Sequence, residues 1–212
     1  MKTDPERAWR FALSVPGEAF RHMALRGALG GRALEDPEFA VSRFLMLPAT
    51  LPRKSELASF LVRSVAGAHP DVAWTSLDEI AKSAGDGDGL LRSFFSGARF
   101  SSQEEAFRYL NSVQSESGRI AAMNTYVRQL QESDYLDASA QLALLPPGDV
   151  RDSGLVVLVD KLFVDSPVEA ARLSRSISDP KARKNAALSI QRYIDVVDSK
   201  IAAEVRQIIK EE

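Results

Sequence analysis

The chain has no cysteine, two histidines and two tryptophans, and carries no large excess of charge of either sign. Without cysteine there are no disulfides, thiolate metal sites or cysteine nucleophiles, and the redox compartment stays open. No apolar run approaches the roughly 18 residues of a membrane span, so no membrane partner is expected. The formal net charge is −2 over 212 residues, which leaves no global field to recruit a polyanion and disfavours nucleic acid. Phosphate loops, dinucleotide fingerprints and Gly-x-Ser-x-Gly elbows are missing, so the chain reads as a non-enzyme with no cofactor. Met1-Lys2-Thr3 leads directly into patterned sequence with no apolar h-region. The compartment is therefore cytoplasmic by default, or periplasmic if a signal segment has been removed.

What is present is enough apolar sequence to bury a core, 45% of the residues, and it is arranged periodically. Asp36-Pro37-Glu38-Phe39-Ala40 has variants at Asp4–Ala8, His69–Ala73, Ser102–Ala106, Asp134–Ala138, Ser166–Ala170 and Asp198–Ala202. The closing alanines stand 32 or 33 residues apart, a period that marks a repeat architecture. Asp or Ser supplies a helix cap at every start except His69. Pro5, Pro37, Pro70 and Pro167 fit the first helical position, and Glu6, Glu38, Asp71 and Glu104 favour the positive end of the dipole.

Four and seven residues beyond each alanine lie further columns. The first holds Ala12, Phe44, Leu77, Leu110 and Leu142, then Ser174 and Arg206. The second holds Val15, Leu47, Ile80, Val113, Leu145, Ile177 and Ile209. Spacing of 0, +4, +7 is one face of an α-helix. Turn residues follow, and a second helix begins, with a small column at Ala24, Ala122, Gly154 and Ala186. The second repeat is expected to reach this pattern one residue late, at Ala58, and the third at Leu91, with the extra residues absorbed in the preceding turns. The fold expected is all-α: a right-handed αα-superhelix, or α-solenoid, of six helical hairpins plus a C-terminal helix. It forms a single domain over 1–212, with repeats near 4–35, 36–68, 69–101, 102–133, 134–165 and 166–197 and a terminal helix at 198–210.

Asp-Pro-x-x-Ala followed by a turn and Arg-x-x-Ala is clearest in Asp4-Pro5 with Arg21-His22-Met23-Ala24, and in Ser166-Pro167 with Arg183-Lys184-Asn185-Ala186. It resembles a repeat found in many copies in uncharacterised bacterial proteins, akin to the tetratricopeptide and HEAT classes. The resemblance covers nearly the whole chain and implies an α-solenoid without implying an activity.

Two columns are candidate binding residues. Arg21, Arg53, Arg119, Arg151 and Arg183 fall near the start of each second helix, and only the third repeat, with Asp86-Gly87-Asp88, breaks the row. A row of guanidinium groups suits an acidic peptide or a phosphate backbone. As packing elements, the same arginines would meet a capping aspartate or a helix C-terminus. Trp9, Trp74 and Phe107 share the position after the alanine, either as core or as aromatic anchors in a groove. Asp86-Gly87-Asp88-Gly89 lacks the acidic twelfth residue of a calcium loop, where Gly97 stands, and is expected to be a flexible turn. No spacing supplies a metal site.

The function expected is a protein-interaction scaffold that binds a peptide or partner protein on its concave face, in a groove lined by the first helices. One alternative is a HEAT-like nucleic-acid-binding protein that uses the arginine column. Another is a spacer or fragment of a longer array. Its own assembly is expected to be a monomer, or a weak homodimer through exposed end repeats.

Overall fold

The computed structural model describes residues 4–195 and 199–210, which are all-α: thirteen α-helices, one 3-10 turn and no strand among the described residues. The chain forms two compact units, residues 1–100 and 101–212.

The first unit contains α1 (Pro5–Ser14), α2 (Glu18–Ala33), α3 (Pro37–Leu45), α4 (Lys54–Ala66), α5 (Pro70–Ala84) and α6 (Gly87–Gly97). Here α2 packs against α1, α3 and α4; α4 packs against α3, α5 and α6; and α3 meets α5. The second unit contains α7 (Gln103–Ser112), α8 (Glu116–Gln129), a 3-10 turn (Glu132–Asp134), α9 (Tyr135–Leu144), α10 (Asp149–Leu162), α11 (Pro167–Arg175), α12 (Pro180–Ile194) and α13 (Ser199–Lys210). Here α10 packs against α8, α9, α11 and α12, α7 against α8 and α9, and α13 against α11 and α12.

The caps follow sequence chemistry in part. Asp4, Asp36 and Ser102 accept from backbone N–H groups of Glu6, Phe39 and Glu105. Asp134 and Ser166 make no such bond. The Asp134 carboxylate instead accepts from Gln131 N–H, because the chain enters α9 through the 3-10 turn. Asp198 lies outside the described residues. His69, the exception in the row, spans to the C-terminal end of α2, its Nε2 lying 2.9 Å from the Leu34 carbonyl. Asp86-Gly87-Asp88-Gly89 is not a flexible turn. Asp86 caps α6 by accepting from Gly89 N–H at 2.8 Å, and the two glycines form the first helical turn. Gly85, at φ +76°, closes α5 in the left-handed region that glycine enters without strain.

The column alanines Ala40, Ala73, Ala106, Ala138, Ala170 and Ala202 are buried, whereas Ala8 is exposed. Phe44, Leu77, Leu110, Leu142 and Ser174 are buried in the next column, and Arg206 is exposed. Burial corrects the register of the second helices. Leu57 and Leu90 are fully buried and continue the column of Leu25, Met123 and Leu155. Their spacing matches that of the alanines, so no shift is absorbed in the turns before α4 and α6. The extra residues lie after Leu57 and after Leu90. Tight contacts complete the packing. A Cβ at Gly97 would stand 2.3 Å from the Arg63 carbonyl oxygen, so only glycine lets α6 approach the backbone of α4 this closely.

Candidate functional site

Three of the five column arginines, Arg21, Arg151 and Arg183, meet carbonyls at helix ends. In Arg21 the Nε donates to the Val15 carbonyl at 3.0 Å, and in Arg183 an Nη donates to the Ile177 carbonyl at 3.3 Å. Both acceptors belong to the +7 apolar column, so each guanidinium satisfies a carbonyl that the end of the preceding helix leaves free. In the second repeat the neighbouring Lys54 does this, with its Nζ donating to the Leu47 carbonyl at 2.6 Å while 5% exposed. Arg53 sits in the left-handed region at φ 58° and forms an exposed pair with Glu56. Arg151 reaches forward, donating to the Ser176 carbonyl and the Ser178 hydroxyl. Arg119 is half-buried, and its Nε has no hydrogen-bond partner.

The position after the arginine holds His22, Lys54 and Asp152, each 5% exposed. Three of the few buried polar side chains therefore share one repeat position, a feature sequence reading missed because their chemistry differs. Asp152 Oδ2 accepts from the backbone N–H groups of Ser178 and Asp179 at 2.8 Å each, fastening α10 to the turn before α12. His22 lines a cavity of about 10 Å³, enough for roughly one water, with Leu51 and Pro52 of the turn before α4. Neither of its ring nitrogens is hydrogen-bonded, and Glu56 stands 3.9 Å away. Burial, and then Arg53, hold its pKa below the usual histidine value. Burial likewise lowers Lys54.

The aromatic column is mostly core. Trp9 and Phe107 are buried, with Phe107 edge-on to Tyr126 at 6.0 Å. Trp74 is half-buried and joins Phe94 and Phe95, at centroid distances of 5.0 and 6.4 Å.

Open surface of the right size lies elsewhere. In the first unit a cleft of about 340 Å³ runs across α2, α4 and the start of α6. It is walled by Arg26, Ser59, Phe60, Arg63 and Asp86, with the Arg26 guanidinium 4.5 Å from the Phe60 ring centroid. In the second unit a cleft of about 420 Å³ runs across α8, α10 and α12. Ile120, Val156 and Val157 form its apolar part, and Asn124, Arg128, Asp149 and Asp179 its polar part. Ser55 and Ser59 in the first correspond by repeat position to Ser153 and Val157 in the second. Both clefts are on second helices, not on the first helices that sequence reading favoured, and none of the eight candidate residues lines either one.

A further patch is on α9. Leu136 and Leu144 are 72% and 78% exposed, and Ala140 and Ala143 between them are also exposed. The signal was available in the row Glu6, Glu38, Asp71 and Glu104, which gives way to Leu136 in the fifth repeat. Among the described residues no group of three or more His, Asp or Glu is placed to hold a metal ion, and no helix is long and apolar enough to cross a membrane. Comparison with protein-family models, curated proteins and solved structures finds no match.

Proposed function

We propose that the chain is a non-enzymatic α-solenoid scaffold that binds a peptide or partner protein. In this reading six helical hairpins and the last helix form a right-handed αα-superhelix, and the face formed by the second helices is the binding surface, in place of the groove of first helices. The recurrence of a cleft at equivalent positions in the two units carries the proposal. Each cleft is open and crosses three helices, and its walls mix apolar and charged groups as protein interfaces do. Stacked helical repeats are used mostly in this way, and that step is an argument by analogy. The arginine column has less support as the contact surface, because Arg21, Arg151 and Arg183 already donate to carbonyls.

Photo-crosslinking residues introduced at Ser59 and Val156, both partly exposed in the two clefts, test this reading in cell extracts. A saturable crosslinked protein, absent when the crosslinker is placed at exposed Asp78, is the expected result. Its absence at both positions across several extracts would refute the proposal.

A further inference from the structure

The cleft of the first unit is uneven in its polar groups: its carboxylates are engaged and its donors are free. Glu56 has both oxygens taken by Arg53, at 2.8 and 2.6 Å. Asp86 caps α6 through the Gly89 N–H, at the positive end of that helix. The donors on the wall are the guanidiniums of Arg26 and Arg63 and the hydroxyls of Ser55 and Ser59. Among the described residues neither arginine forms an ion pair and neither hydroxyl has a hydrogen-bond partner. Arg26 acts on Glu56 only at longer range. By contrast Ser153, the equivalent of Ser55 in the second cleft, donates to the Val150 carbonyl. Both arginines are held by contacts that use none of their N–H groups. The Arg26 guanidinium lies 4.5 Å from the Phe60 centroid, and the Phe60 ring packs on Gly30, where a Cβ would stand 2.8 Å from it. The Arg63 stem lies along α6, its Cγ 2.8 Å from where a Cβ at Gly97 would be. The second cleft has Asn124 and Val156 at the repeat position of Arg26, so this cation is particular to the first.

We propose that the first-unit cleft binds an acidic segment of a partner protein, with one carboxylate on Arg26, a second on Arg63, and Ser55 and Ser59 donating beside them. Free donors facing engaged carboxylates call for a ligand that brings acceptors. A guanidinium fork matches a carboxylate through two parallel N–H bonds, and a side chain already held in place loses less freedom on forming them. The carboxylates of the wall limit how much negative charge fits. Arg26, Arg63 and the flanking Arg53 against Glu56 and Asp86 leave a single positive charge. That suits a pair of acidic side chains and is too little to hold a nucleic-acid backbone. This inference rests on the scaffold reading and deepens it, by giving one of its two clefts a ligand of stated chemistry.

The test selects a displayed library of random twelve-residue peptides on the full chain, then makes the enriched sequence as a fluorescent probe read by anisotropy. Enriched peptides are expected to share two Asp or Glu residues at a fixed spacing. The probe should bind Arg26→Gln/Arg63→Gln at least tenfold more weakly than the parent. It should also lose affinity when its two acids are made amides, and as salt is raised. Arg128→Gln, in the second cleft, should bind it as the parent does, and circular dichroism checks the folding of each variant. The inference is overturned if no peptide is enriched, if the enriched peptides are basic or uncharged, or if the double variant binds the probe as the parent does. Binding of a short DNA duplex that the double variant abolishes would also overturn it, in favour of a polyanion. A protein that crosslinks at Ser59 or Val156 in the double variant as in the parent would leave the scaffold reading standing without this one.

Discussion

Removing the Asp152 carboxylate should cost the second unit about 3 kcal/mol. Its Oδ2 accepts two backbone N–H bonds from Ser178 and Asp179 at 2.8 Å, and the side chain is almost wholly buried. Hydrogen bonds to a charged group contribute about 1.5–3 kcal/mol each. The two amides lie in a turn at the surface, where water can replace part of what is lost, so the lower end applies to each. Asp152→Ala also leaves the Arg151 guanidinium, 3.8 Å away, without its counter-charge, though still bonded to Ser176 and Ser178. Asp152→Asn keeps the shape and one oxygen that can accept both amides, so it should cost about 1 kcal/mol. With an m value of about 2 kcal/mol/M, the alanine variant should lower the urea midpoint by about 1.5 M and the asparagine variant by about 0.5 M. Hydrogen exchange read by NMR supplies the local check: the Ser178 and Asp179 amides should lose protection in Asp152→Ala before the rest of α12 does. A midpoint shift below about 0.3 M, or unchanged exchange at those two amides, would refute the idea that this residue fastens α10 to the following turn.

Three other outcomes follow from local geometry. Because burial lowers the pKa of His22, the unfolded chain binds more protons between the folded value and 6.5. Stability of the first unit should therefore be full above that window and decline as pH falls through it. His22→Gln should flatten this slope in pH-dependent urea titrations, and an unchanged slope would show that other groups cause it. Gly97→Ala should destabilise by about 2 kcal/mol, since the new methyl meets backbone rather than a movable side chain; a thermal midpoint equal to the parent's would contradict the α4–α6 contact. Arg53→Gly should leave stability within about 0.5 kcal/mol of the parent, because relief at φ 58° offsets the loss of a bidentate pair with Glu56. Chemical denaturation showing a larger change in either direction would refute that balance.

How far the chain could be read beforehand depended on how each position is constrained. The first-helix columns were legible because alanine, then an apolar residue at +4 and +7, answers to one local requirement, a helix with one buried face. Phe44, Leu110 and Leu142 meet it in the same way although their surroundings differ. The second helices were harder. Both α4 and α10 have buried residues on more than one side, so Ala58 and Leu57 look equally suitable in the sequence, and only packing selects Leu57 as the continuation of Leu25. The arginines were less legible still. A guanidinium reaches far enough to find a carbonyl six residues back, as in Arg21, or twenty-five residues on, as in Arg151, and the letter is the same in both cases.

The same reasoning bears on where binding surface is to be sought in such a chain. A residue that recurs in most repeats answers a demand that they share, and here that demand is largely packing: Arg21, Arg151 and Arg183 meet carbonyls at helix ends, and much of the aromatic column fills core. Surface that serves one ligand has no reason to recur, so it shows as a departure from the pattern. Leu136 is such a departure. Glu6, Glu38, Asp71 and Glu104 satisfy a helix dipole at no cost to packing, and exchanging that residue for an exposed leucine gains nothing inside the fold. In a repeat chain the positions that break a solvent-facing column toward the apolar are therefore where a partner should be sought first, ahead of the positions that keep it.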